Sequence, residues 1–243
     1  MEQSNNSKAL DQHLLKLRTL EISDYDAIKN IMKVVYADAG GAWTKREFQN
    51  QLSVFSEGQI GIEVDGKIVA AALSLVVKYA KFGDNHTYDQ ITGKGKFDTH
   101  DYEGDTLYGT DLFVDPEYRD MRLGRRLYDA RKEMCENLNL RAIIVGGRIP
   151  GYRQYRDKLT PRKYLEEVKN KEIYDPVLTF QLANDFHVRK LIPRYSHEDK
   201  GSMQYATLLE WINIAHEDET EPLIGGTKSV VRLGAVQWQM RPV

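Results

Sequence analysis

A single cysteine, Cys135, rules out a disulfide within the chain. It falls inside a helical pattern, where a buried structural thiol is the expected role rather than a nucleophile. Charge of one sign is also in short supply. With 34 Lys and Arg against 36 Asp and Glu, the formal net charge is −2, too little to gather nucleic acid by a general field. No run approaches the roughly 20 apolar residues of a membrane span, and the polar N-terminus has no apolar signal core, so a reducing, cytoplasmic setting is expected. A Gly-x-x-x-x-Gly-Lys-Ser/Thr loop is absent, which argues against nucleotide hydrolysis. His86 and His100 lack metal-ligand spacing to each other or to the cysteine. They read as solvent-exposed, and no metal site is expected.

What is present suffices for one domain of roughly 200 residues plus tails, since 41% of the 243 residues are hydrophobic. The informative stretch runs from Leu107 to Leu138. Residues 107–114 form a short apolar, β-prone run that Pro116 ends, because proline cannot donate to a sheet ladder. Leu123, Leu127, Ala130, Met134 and Leu138 then recur at spacings of three and four, giving one apolar stripe on a helix of about four turns. Strand, basic turn and helix follow directly on one another. A helix start offers unpaired N–H groups and a partial positive charge, and Gly124 allows close approach to the backbone. Arg119, Arg122, Arg125 and Arg126 add charge, so a phosphate or pyrophosphate is the expected ligand, with a solvated basic face as the plain alternative.

The order Val114-x-Pro116-x-Tyr118-Arg119-x-x-x-Leu123-Gly124-Arg125 resembles the acetyl-CoA-binding motif of the GCN5-related N-acetyltransferase (GNAT) superfamily. That motif reads Arg/Gln-x-x-Gly-x-Gly/Ala. Arg119 fills its first position and Gly124 its last, while Arg122 replaces the middle glycine; its amide remains usable if its φ is negative. The resemblance implies an α/β fold with a mixed sheet of about seven strands flanked by helices. It implies acetyl-CoA binding by Leu112, Phe113, Val114, Arg119, Asp120, Met121, Arg122, Leu123, Gly124, Arg125 and Arg126.

Taken in order, residues 1–13 read as a disordered tail and 14–20 as a first strand. Ser23 with Asp26 suggests a capping box for a first helix reaching Gly40, and Thr44 with Glu47 a second box for a shorter helix bearing Phe48, Leu52 and Phe55. The connection 38–43 reads as a helix–helix loop or part of a substrate mouth. Ile60 to Val64, Asp65-Gly66 and Ile68 to Val77 form a hairpin. Residues 78–105 show no periodicity and read as a long functional or disordered loop. Arg141 to Val145 is a buried strand, parallel to 107–114 through a right-handed crossover. Tyrosine and arginine alternate over 148–158, suggesting a local clamp or a solvated surface. Thr160-Pro161 and Asp175-Pro176 each open a helix, and 188–195 with 203–211 are two last strands. In the superfamily a Gly-Phe pair ends the helix before those strands; here Asp185-Phe186 stands in that place.

The acetyltransferase-like domain is thus expected over 14–213, followed by a linker over 214–229. Residues 230–243 resemble the opening strand of a carbon–nitrogen hydrolase (nitrilase) domain, as in fusions of the two families, or else pair with the main sheet's edge.

If acetyl-CoA binds, the two central strands should part so that freed backbone groups meet the pantetheine arm and an N–H near Phe113 holds the oxyanion. The bound amine then attacks the thioester directly once neutral. Its proton needs a base, for which Asp111 comes first, with Glu63 and Glu103 behind it. The tyrosine acid of many superfamily members has no counterpart, because Phe180 and Gln181 stand at the nearest positions; Tyr155 and Tyr174 are the substitutes. The expected function is N-acetylation of an unspecified primary amine. The alternative is an acyl-CoA-binding regulatory domain of a hydrolase fusion, without turnover.

Overall fold

A computed structural model describes residues 14–217. Seven strands form one sheet: β1 (Leu15–Thr19), β2 (Gln59–Val64), β3 (Lys67–Val77), β4 (Thr106–Val114), β5 (Ala142–Arg148), β6 (His187–Ile192) and β7 (Ala206–Ile212). Their order is β1-β2-β3-β4-β5-β7-β6, and every neighbouring pair is antiparallel except β4 with β5. This is the mixed sheet that the sequence implied. The Asp65-Gly66 turn closes the β2–β3 hairpin, with both residues at positive φ as such a tight turn requires. β3 is apolar almost throughout because it is covered on both faces, its side chains alternating between two cores.

On one face lie α1 (Tyr25–Val35), α2 (Lys45–Val54) and the short α3 (Tyr88–Thr92); on the other lie α4 (Leu123–Asn137), α5 (Pro161–Lys169) and α6 (Leu178–Leu182). The Thr44–Glu47 capping box forms as expected, Thr44 Oγ1 accepting from the Glu47 amide at 3.2 Å and Glu47 from the Thr44 amide at 2.7 Å. The first helix is capped differently from expectation. A single turn, Ile22–Asp24, precedes α1, and the Glu21 amide donates to Asp24 at 2.8 Å while Arg18 clamps the same carboxylate. The Ser23–Asp26 box does not form, because Ser23 already lies inside that turn.

The stretch 78–105 also departs from expectation. It is not a structureless loop: turns at Tyr79–Lys81 and Gly83–Asn85 lead into α3, which a Thr87–Gln90 capping box opens. Neither histidine in it is solvent-exposed. His86 is 3% exposed, and His100 is half-buried against Phe55, accepting from the Val76 amide. The final strands are each shifted or shortened relative to 188–195 and 203–211, since Arg194, Met203 and Gln204 adopt positive φ in the intervening loop. Asp185 takes φ +66°, doing the conformational work of the glycine usual there, and pairs with Lys132 at 2.9 Å. The expected tail 1–13 and the expected hydrolase strand 230–243 lie outside the described residues.

Cys135 is fully buried, with burial pushing its thiol up to about 12, as a structural role requires. Asp175, also fully buried, ties three segments together. It accepts from the Val177 and Leu178 amides at the head of α6, from the Gly151 amide and from the Tyr164 hydroxyl at 2.7 Å. Asp175→Ala strands these donors and is expected to lower stability by about 3 kcal/mol, read by urea unfolding.

Candidate active site

β4 and β5 run side by side only from Thr106–Gly109 against Ala142–Val145. Beyond that point β4 stays with β3 through Val114 and β5 stays with β7 through Arg148, so residues 110–114 and 146–148 face each other across a widening gap. A bulge helps to part them: Leu73 sits opposite Asp111 and Ser74 opposite Gly109, which leaves Thr110 as the extra residue. The gap opens into a cleft of about 1260 Å³, ample for an extended ligand.

One end of the cleft is basic. A short turn over Pro116–Met121 delivers the chain into α4, and exposed Arg119, Arg122 and Arg125 border the cleft beside the helix start. Of the expected CoA contacts, Leu112, Phe113, Val114, Arg119, Arg122, Gly124 and Arg125 line it. Asp120, Met121, Leu123 and Arg126 do not. Leu123 is fully buried beneath β2 and β3, Met121 packs on the same cluster, Asp120 points to solvent, and Arg126 borders a shallow hollow beside Leu15 and Asp129. The helical turn spreads successive side chains around its axis, so the side chains of these four residues point elsewhere while their backbone N–H groups stay at the helix start.

Arg122 does not meet the condition set by the sequence. Its φ is +57°, a conformation that glycine adopts freely and arginine only with strain. Gly124 is buried, and the Phe180 ring lies where its Cβ would stand, 2.8 Å away, so packing as well as ligand approach demands glycine there.

The other end is walled by polar groups that sequence reasoning mostly missed. Asp111 accepts from the Tyr88 hydroxyl at 3.2 Å, and Tyr36 donates to the Leu112 carbonyl at 3.4 Å. Burial pushes the Asp111 carboxyl up to about 6 against the opposing pull of Tyr88, Thr110 and Arg131. Burial first, then Asp111, holds the Tyr36 and Tyr88 hydroxyls well above their ordinary range, so both stay neutral donors. Arg148 pairs with Asp199 and Asp38, each at 2.8 Å, and its guanidinium lies over the Tyr36 ring. Burial works against that charge, but the two carboxylates outweigh it and hold Arg148 above its usual range. The 38–43 connection does line the cleft, and so does Tyr174. Tyr155 does not; it packs against Tyr164 in the second core. Glu63 is engaged by Arg18 across the outer strands β1 and β2, and neither it nor Glu103 lines the cleft.

Arg131, 1% exposed, crosses from α4 to the point where the strands part. It donates to Ser74 Oγ at 3.0 Å, to the Leu73 carbonyl at 2.5 Å and to the Asp111 carbonyl. Burial lowers its pKa, with Tyr128 and Asp111 pulling the other way. Its position among Leu127, Tyr128 and Cys135 on the buried helix face was the signal available in the sequence: a charge at a core register.

This divergence of central strands above a basic helix start agrees with the sequence comparisons. The sequence model of the Acetyltransferase (GNAT) family matches residues 25–151. "Probable hydrolase YhcX" of Bacillus subtilis is 36% identical over 227 residues, 93% of this chain. The chain belongs to the GNAT acetyltransferase family. It spans only 44% of the length of that relative. A second, "Uncharacterized N-acetyltransferase YkwB" of the same species, is 30% identical over 72% of this chain and 77% of its own length. The GNAT fold is equally clear in the loading GNATL domain of CurA from Lyngbya majuscula. Its TM-score is 0.72 at 20% identity, covering 82% of this chain and 98% of that one. Among the described residues, no group of three or more His, Cys, Asp and Glu is placed to hold a metal ion, and no helix is long and apolar enough to cross a membrane.

Two outcomes follow. A carboxyl whose folded-state pKa is raised binds its proton more tightly than the unfolded chain does, so its contribution to stability declines as pH rises from about 4 to about 6. Asp111→Asn removes this loss, and thermal melts at pH 4.5 and pH 7 should show the variant gaining on the wild type at the higher pH. Arg122→Gly releases the left-handed strain and should stabilise the fold by about 1 kcal/mol in urea unfolding.

Proposed function

We propose that this chain transfers an acetyl group from acetyl-CoA to a primary amine by direct attack on the thioester. The observation that carries this reading is the gap between the parting strands, with an arginine-bordered helix start at one end and the Asp111 carboxyl inside it. In this reading Arg119, Arg122 and Arg125 neutralise the pyrophosphate. The facing edges of 110–114 and 146–148 pair with the amides of the pantetheine arm. Gln181 fits the same role: its Oε1 is buried beside Gly147, borders the cleft and has no hydrogen-bond partner among the described residues, so it suits an amide N–H. A freed backbone N–H near Phe113 meets the oxyanion.

An ammonium with a pKa near 10 must lose a proton before it can attack. Asp111, titrating near 6, is ionised at neutral pH yet basic enough to share that proton, and it is the base in this reading. Tyr155 has no part in it. The acceptor is a small-molecule or protein amine; neither nucleic acid nor membrane enters. The similarity to a relative named as a hydrolase supports a hydrolase domain in a longer parent protein. One observation favours a second reading, acyl-CoA binding without turnover: Phe180, which has no hydroxyl, packs at the head of α4.

Calorimetric titration with acetyl-CoA separates these. Micromolar binding by the wild type, weakened at least about tenfold by Arg119→Glu with Arg125→Glu, is the expected result. Release of free CoA in the presence of primary amines, reduced about 100-fold or more by Asp111→Asn at unchanged acetyl-CoA affinity, supports the enzyme. Binding with no release for any amine supports the second reading, and no binding defeats both.

A further inference from the structure

Behind the cleft, three buried side chains form an unbroken hydrogen-bonded line. Tyr195 borders the cleft, its hydroxyl lies 2.8 Å from that of Tyr108, and the Tyr108 hydroxyl lies 2.8 Å from Nε2 of His86. Nδ1 of His86 lies 2.6 Å from the Gly83 carbonyl. Tyr108 is fully buried, His86 is 3% exposed and Tyr195 6%. The outer end of the line meets the cleft at its apex. Tyr195 packs where a Cβ on Gly146 would stand, its hydroxyl oxygen only 2.3 Å from that position, and Gly146 is the first β5 residue beyond the last parallel pair.

The line has a direction. A carbonyl can only accept, so Nδ1 of His86 carries the hydrogen and, in the neutral ring, Nε2 is bare. Nε2 therefore accepts from Tyr108, and Tyr108 accepts from Tyr195. The Tyr195 oxygen is left with lone pairs toward the cleft and its hydrogen pointing away. Protonating His86 reverses every bond: Nε2–H donates to Tyr108, Tyr108 donates to Tyr195, and the Tyr195 hydrogen turns to the cleft. The charge state of a histidine two side chains away is thus reported at the cleft surface.

We infer that Tyr195, Tyr108 and His86 form a proton relay for acyl transfer, in which Tyr195 is a catalytic residue and the two behind it act through it. The inference rests on the acetyl-transfer reading. Asp111 takes the proton that frees the amine. When the nitrogen bonds to the thioester carbon it becomes cationic, and it loses its next proton to the Tyr195 oxygen as Tyr195 passes its own to Tyr108 and Tyr108 passes its own to His86. The carbon–sulfur bond then breaks, the sulfur leaving with the electron pair. It takes the hydrogen that Tyr195 now presents, and the line returns to its first polarity. The net result moves one proton from nitrogen to sulfur and leaves a second on Asp111, which releases it to solvent through the cleft, with nothing oxidised or reduced.

The surroundings of His86 suit a group that is neutral at rest and briefly charged. Burial lowers its pKa, while the Gly83 bond and Asp84 pull it back up. Asp84 is in turn bonded by the Tyr79 hydroxyl at 2.9 Å and by Arg189 at 3.1 Å, and Arg189 also pairs with Glu210. The Tyr79 ring meets His86 edge-on at 5.9 Å, and the rings of Tyr108 and Tyr195 close the remaining sides.

Two variants test the relay. Tyr108→Phe removes one hydroxyl from the middle of the line. His86→Gln keeps an acceptor and a donor in place but cannot store a proton. Both should fold and bind acetyl-CoA within twofold of the wild type. Both should lose at least about tenfold in kcat, and His86→Gln should also lose the acidic limb that His86 gives the kcat–pH profile. A structural role alone would be rescued by glutamine. Turnover by the wild type with kcat retained in both variants overturns the relay and leaves the acetyl-transfer reading standing, whereas no turnover by the wild type overturns both. Independently of turnover, nitrogen NMR of the free protein should find His86 as the Nδ1–H tautomer; the Nε2–H tautomer would overturn the relay.

Discussion

The structure depends on one buried cation. Where the β3–β4 ladder is broken by its bulge, backbone carbonyls at Leu73 and Asp111 lose regular partners, and a sheet interior does not tolerate orphaned acceptors. Arg131 reaches in from α4 and satisfies both, together with Ser74. The arrangement requires a glycine at 109, since a Cβ there would lie 2.9 Å from the guanidinium. A buried charge is costly unless it is well bonded, and among the described residues this one is held by neutral oxygens rather than by an ion pair. In return the helix, the bulge and the parting of β4 from β5 are locked into a single geometry, and the cleft exists because of it.

Charge along that cleft is sorted. Arginines border the end at α4, while Arg148, paired with Asp38 and Asp199, lines the cleft elsewhere together with Asp111 and Glu198. Two buried tyrosines, Tyr195 and Tyr108, and His86 reinforce the second end with neutral hydrogen-bonding groups rather than with further charge. Low dielectric makes each of those bonds matter more, which is why the directions of the hydroxyls, and not only their positions, carry chemical meaning.

Of the ten described non-glycine residues at positive φ, two stand where the family pattern has glycine, Arg122 at the head of α4 and Asp185 after α6. Aspartate tolerates this conformation and gains an ion pair with Lys132; arginine tolerates it poorly. The fold therefore retains its turns where the sequence has lost the small residues that usually make them. Side-chain charge at 122 has replaced conformational ease beside the site where an anion is expected.

Local pattern in the chain determined the hairpin at Asp65-Gly66, the Thr44 cap, the strand–turn–helix unit at 107–137 and the parallel crossover to Ala142–Arg148, because each depends on residues close in sequence. The motif likewise pointed to the basic end of the cleft, though not to which of its arginines turn inward. Tertiary structure alone decided the rest. Asp111 could be named as a carboxylate on the right strand, but its raised pKa comes from burial, only partly offset by Tyr88 and Arg131, which lie 20 or so residues away on other elements. The line from Tyr195 to His86 joins a loop after β6, a central strand and a turn in the 78–105 stretch, three pieces with no shared periodicity. A single sequence records what each residue is, and hydrogen-bond partners of that separation are fixed only when the sheet brings them within 3 Å.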